Sequence, residues 1–237
     1  MIPLIHVSQI PSVYIHKLSL ESVADELKQL TVLIDCGTPR VFEEASYKYV
    51  FRTGPHAAMD NIAGALYLKR KGIVPTRVAA INQNYAWGQD SWADFKSSID
   101  VIFNRPKIVS EQFPKIFAGQ YGTEISAILV SKPDLIHSSL WGGDLESFII
   151  QSNARGLFRN KTVFLSAADH VLPTLGKNIP DGVIIGARGR SANPVTELCT
   201  RRGAKRVLII LRAGGKGSAM LVPAGRGRSW ARQAVHA

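Results

Sequence analysis

The chain is poor in cysteine: Cys36 and Cys199 are the only two among 237 residues. Two thiols make no disulfide framework, they lack the paired spacing of a zinc site, and nothing in the sequence places them together. Long apolar runs are missing as well, since none approaches the roughly 18 residues needed to span a bilayer. The opening residues, MIPLIHVSQIPSVYIHKL, show no basic segment, long apolar core or small-residue cleavage site of a secretory leader. Taken literally, such a chain stays in the cytoplasm. Catalytic motifs are equally scarce, with no G-x-S-x-G elbow and no phosphate-binding G-x-x-x-x-G-K-[ST] loop. The six histidines, His6, His16, His56, His137, His170 and His236, form no HExxH or other metal-binding spacing. No catalytic residue, metal ligand or cofactor is assigned.

Acidic residues are absent from one region in particular. From residue 187 onward eleven basic side chains face Glu197 alone, a net of +10 out of the +11 carried by the whole chain. Positions 1–186 are therefore almost neutral, and the body of the protein gives no electrostatic reason to expect nucleic acid. Apolar content of 46% with 20% charged residues is that of a folded globular chain.

What is present is a regular alternation of apolar patterns. Residues 78–81 form a continuous apolar run, as in a parallel strand covered on both faces. A loop bearing Tyr85 and Trp87 follows; then Trp92, Phe95, Ile99 and Ile102, three and four apart, mark one face of a helix. The same reading predicts a helix over 19–30, strands over 31–34 and 47–52, and a helix over 56–71 with Met59, Ile62 and Leu66 on one face. Further along it predicts strands over 107–113, 135–140, 162–165 and 182–185, with helices over 122–131 and around Leu145, Phe148 and Ile149. Residues 1–18 show no period. After residue 188 a single apolar run, 207–211, lies among Arg, Gly and Ala. Strands alternating with helices of this length indicate βαβ units and a parallel sheet, whose ligands bind at the carboxyl ends of the strands.

Two loops at such strand ends carry tryptophan, Trp87 and Trp141. With Tyr85 they suit a small, partly apolar ligand, although aromatics at these places also fill helix–sheet interfaces. Asp90 and Asp94, four apart, read as solvating charges on the outer face of their helix or, for Asp90, as a first-turn charge. Gly142-Gly143 follows a strand and precedes a helix but lacks the third glycine of a dinucleotide fingerprint, so a tight turn is the better reading.

Three segments in order, YKYVFRTGPH, AINQNYAWGQDSWADFK and KPDLIHSSLWGGDLESFIIQSNARGLF, carry a resemblance. From about residue 23 to 189 the chain resembles the type I periplasmic substrate-binding proteins of the branched-chain amino acid and amide ABC importers. The resemblance implies an α/β fold of two parallel-sheet, Rossmann-like lobes that close like a clamp on a small amino acid, amide or urea-like compound. It implies no catalysis, a periplasmic location and a membrane permease as partner. By position, Cys36, Gly37 and Thr38 match the first-lobe segment that holds a ligand carboxylate. Tyr85 and Trp87 match the aromatic loop of the second lobe, Trp141 a further cleft aromatic, and Asp169 the acid that meets a ligand amine.

The corresponding organisation is a remnant of the first lobe over 1–55, a second lobe over 56–188 and a basic, less well packed tail over 189–237. Both ends depart from the family pattern, which leads us to expect a truncated gene or a shifted reading frame, and weak binding or none from half a clamp. A rival reading is a cytoplasmic sensor of the same fold whose basic tail contacts nucleic acid. A small doubly wound enzyme is disfavoured by the empty motif search.

Overall fold

Short apolar runs become strands and apolar residues three or four apart become helices. The elements in chain order are β1 (Ile5–Val7), α1 (Leu20–Glu26), β2 (Thr31–Leu33), α2 (Arg40–Glu43), β3 (Val50–Arg52), α3 (Ala57–Arg70), β4 (Arg77–Ile81) and α4 (Ala86–Ile102). They continue with β5 (Lys107–Gln112), α5 (Gly122–Ser131), β6 (Leu135–Ser138), α6 (Gly142–Ala154), β7 (Thr162–Leu165), α7 (Leu172–Leu175), β8 (Val183–Ala187), β9 (Arg206–Ala213) and β10 (Lys216–Pro223). The computed structural model describes residues 5–7, 20–33, 36–187, 206–213 and 216–223. Cys199 lies outside the described residues.

Two sheets result. β1, β2 and β3 pair in parallel in that order, and the larger sheet runs β10-β9-β8-β7-β6-β4-β5. All its pairings are parallel except that of β9 with β10. The stretch set apart in sequence by its basic composition thus contributes β9, which includes the apolar run 207–211, and β10. Among the described residues no helix is long and apolar enough to cross a membrane.

The central strands β4, β6, β7 and β8 of the larger sheet are buried, as expected of parallel strands covered on both faces. Along β4 the side chains alternate: Ala79 and Ile81 pack with Ile125 and Ile128 of α5 and Leu145, Phe148 and Ile149 of α6. Val78 and Ala80 pack on the other face with Leu68 of α3 and Trp92, Phe95 and Ile99 of α4. The expected face of α4 is the buried one, with Ile102 at its margin.

Helix α3 turns inward a different face from the one its large residues mark. Met59, Ile62 and Leu66 are 45–52% exposed, while Ala57, Asn61, Gly64, Ala65 and Leu68 are buried. The reason is distance. A Cβ at Gly64 would fall 2.2 Å from Cζ of Phe164 on β7, so the helix lies on the sheet through its smallest residues. Periodicity picks out an apolar stripe but not the tighter fit that small side chains permit.

Two polar side chains meet in this layer, Asn61 and His137. Asn61 donates through Nδ2 to the carbonyl of Ala57 (2.9 Å), which leaves its Oδ1 to accept from Nε2 of His137 on β6 (2.8 Å). His137 is completely buried and stacks on Phe95 with centroids 4.4 Å apart. Burial pushes its pKa down to about 3, so the ring is neutral. Its role is packing.

Candidate functional site

The carboxyl ends of β4, β6 and β7 lie side by side, which brings three loops together. Asn82, directly after β4, accepts at Oδ1 from both the backbone N–H (2.8 Å) and the hydroxyl (2.7 Å) of Ser139, directly after β6. Ser166, directly after β7, donates its N–H to the carbonyl of Ser138 (2.9 Å). Gln83 is held in turn by Asp144 of α6, to which its Nε2 donates (2.6 Å).

Tyr85 and Trp141 occupy equivalent positions, each the extended residue immediately before a helix, α4 and α6. They meet: the indole N–H of Trp141 donates to the Tyr85 hydroxyl at 2.7 Å. Phe117, which is 76% exposed, stands edge-on to Trp141 with centroids 6.3 Å apart. Trp87 is turned inward at 7% exposure, packs with Ala57 and Ala167, and donates its N–H to the carbonyl of Ser139 (3.0 Å). Tyr85 and Trp141, both partly buried, form the accessible part of this aromatic cluster together with the exposed Phe117.

Asp169 opens a 3-10 helix over Asp169–Val171 after β7. The next residue, His170, accepts at Nε2 from the N–H of Gly142 (3.0 Å), which ties this turn to the start of α6 beside Trp141. Its Nδ1 lies 3.8 Å from the Asp169 carboxylate.

The smaller sheet contributes the segment 36–40. Cys36 is buried with Ala24, Leu33, Val41 and Val50, and the Gly37 carbonyl accepts from the N–H of Ala57 (2.7 Å) at the start of α3. Thr38 is buried and donates its hydroxyl to Oδ2 of Asp90 on α4 (2.7 Å). Arg40 adds an ion pair to Oδ1 of the same carboxylate, from Nε at 2.8 Å and Nη2 at 2.5 Å. Asp90 is 9% exposed, so its reading as a solvating or first-turn charge is corrected: it is a buried acid that joins the two sheets. Sequence reasoning passed over Arg40 and Phe117. Neither sits in a periodic pattern, and Arg40 finds its partner 50 positions away.

Asp94, one turn beyond Asp90, has its pKa raised to about 6, first by burial and then by the charges of Asp90 and of Glu43 on α2. One of its oxygens, Oδ2, is buried without a hydrogen-bond partner. Between about pH 4 and pH 6 the folded chain therefore holds a proton that the unfolded chain has released, and stability falls as pH rises through that window. His137 works in the opposite direction, being neutral when folded and protonated below its ordinary pKa when unfolded. The Asp94 contribution is isolated by substitution: in urea titrations Asp94→Asn should be more stable than wild type at about pH 7 and indistinguishable near pH 4. A gap that is constant with pH would show that the Asp94 charge is not the cause.

The family model described as periplasmic binding protein matches residues 18–198. Among solved structures, a solute-binding protein of an ABC transporter from R. palustris in complex with benzoate has a TM-score of 0.62 at 19% identity, over 69% of this chain and 44% of that one. A second from R. palustris, in complex with 4-hydroxybenzoate, has a TM-score of 0.61 at 20% identity, over 78% and 52%. The leucine-, isoleucine-, valine-, threonine- and alanine-binding protein of Brucella ovis in its closed conformation gives 0.52 at 22% identity, over 60% and 35%. The chain thus spans about half or less of the length of these structures, and at such identities the likeness is one of fold. Curated protein sequences yield no significant match.

Proposed function

The chain belongs to the periplasmic-binding-protein family, and from that premise we propose that it serves as the solute-binding component of an ABC importer, a carrier without catalysis. In this reading it works in the periplasm and delivers its solute to a membrane permease. The solute is a small carboxylate with a flat or branched apolar body, a class that includes amino acids and aromatic acids. Benzoate, 4-hydroxybenzoate and leucine, named for the three structures above, share this chemistry.

The observation that carries the reading is the Tyr85–Trp141 pair, two hydrogen-bonded aromatics at the carboxyl edge of a parallel sheet. Their faces suit an apolar body, and their polar edges orient each other. In this reading the Cys36, Gly37 and Thr38 segment supplies a polar side to the site, and Asp169 meets an amine where the solute has one. Amino acids remain in this class and aromatic acids join it, whereas the amide and urea-like solutes implied by the resemblance fall outside it because they lack the anion.

Calorimetric titration of the full chain with benzoate, L-leucine and urea tests the proposal. One of the two carboxylates is expected to bind saturably, urea is not, and Trp141→Ala should weaken the bound acid about tenfold, corresponding to about 1.4 kcal/mol of lost aromatic contact. Absence of heat with both acids, or equal affinity in Trp141→Ala, overturns it.

A further inference from the structure

The turn at residues 38–40 is built around a carboxylate, and the carboxylate it holds belongs to the chain itself. Both oxygens of Asp90 are engaged, Oδ2 by the Thr38 hydroxyl and Oδ1 by the Arg40 guanidinium. Thr38 Oγ1 also accepts from the backbone N–H of Arg40 (3.3 Å), which leaves the hydroxyl proton directed at Asp90. Arg52 braces the turn from behind, its Nη1 donating to the carbonyls of Thr38 (2.6 Å) and Cys36 (3.3 Å). A hydroxyl and a guanidinium converging on one anion is a general way of recognising carboxylates.

Asp90 lies on the same helix that begins behind Tyr85 and contains Trp87, so the acid and the aromatic cluster share one rigid element. A partly buried guanidinium deprived of its anion is costly. A solute carboxylate that takes the place of Asp90 restores the same hydrogen bonds, and the exchange costs the solute only the advantage of an intramolecular competitor.

Resting on the reading of the chain as a binder of small carboxylates held by the 36–38 segment, we propose that Arg40 joins Thr38 in holding the carboxylate and that Asp90 is an internal competitor occupying this place in the absence of solute. Arg40 then acts in recognition, and Asp90 sets how tightly the solute is held. The device has a direct consequence: removal of the Asp90 carboxylate opens a site for a free one.

Thermal unfolding and calorimetry on the full chain test this with acetate and benzoate, using sodium chloride at equal ionic strength as the reference. Asp90→Ala should unfold at a lower temperature than wild type and recover saturably with acetate. Wild type should not respond to acetate, and Asp90→Ala/Arg40→Ala should not recover. Benzoate should bind Asp90→Ala at least tenfold more tightly than wild type. If Asp90→Ala does not fold, Asp90→Ser, which removes the charge and shortens the side chain while keeping a hydroxyl, should show the same benzoate gain. Equal benzoate affinity in wild type and variant overturns the role of Asp90 while leaving the solute reading intact. Rescue by acetate with no binding of benzoate or L-leucine to either protein supports the carboxylate pair and overturns the solute reading. Identical responses of wild type and Asp90→Ala to acetate overturn the pair itself.

Discussion

Phe164→Ala is expected to remove about 3–5 kcal/mol of stability, the range for deleting a fully buried aromatic ring. Phe164 is completely buried on β7 and touches the rings of Phe95, at a centroid distance of 5.3 Å, and His137, at 5.6 Å. Gly64 of α3 sits directly over the ring and has no side chain that could swing into the space. The cavity therefore persists, and the destabilisation stands at the upper end for a core truncation. With about 2–4 °C lost per kcal/mol in a chain of this size, the melting temperature should fall by roughly 10 °C. Phe164→Leu, which refills part of the volume, should lose less than half as much. A loss below about 1 kcal/mol for the alanine variant would mean that α3 collapses onto the sheet, contrary to the tight contact at Gly64.

The second large effect concerns Gly88, in the first turn of α4. A Cβ there would lie 1.9 Å from the carbonyl oxygen of Gln83, a backbone atom that cannot rotate away. Gln83 is itself held at its side chain by Asp144, and its carbonyl already accepts the N–H of Tyr85 (2.9 Å). Gly88→Ala must therefore displace the loop between β4 and α4, at about 1–3 kcal/mol or more. Because Tyr85 ends that loop and Trp87 follows it in the first turn of α4, solute affinity should fall further than stability does. Gly143→Ala is the control: in the first turn of α6 its added methyl meets nothing within 4 Å, and stability should change by no more than about 0.5 kcal/mol. Equal behaviour of the two variants in denaturant titration and tryptophan emission would refute the close approach at Gly88.

Much of the larger sheet was legible in the sequence because its signals are local. The apolar run at 78–81 and the three-and-four spacing of Trp92, Phe95 and Ile99 need no partner to be recognised, and both elements stand where expected, as β4 and α4. The buried face of α3 was not legible, since its choice depends on the shape of the neighbouring surface: Gly64 is buried because Phe164 lies beneath it, and Leu66 is exposed. At the site, the strand-end placement of Tyr85 and Trp141 could be read from the βα order, but not that one donates a hydrogen bond to the other. Trp87, two residues from Tyr85, points into the protein instead. Nothing in the spacing distinguishes the two.

By itself, then, the sequence determined the alternation of strands and helices, the parallel α/β class and the loops where aromatics gather, since each follows from the chemistry of neighbouring residues. Only the tertiary structure decided which charges are buried. Asp90 reads as a surface acid among its neighbours along α4, and becomes an interior one because the fold brings Thr38 and Arg40, some fifty residues away, against it. Whether a carboxylate can leave water depends on the donors around it, and those donors are assembled by contacts distant in sequence.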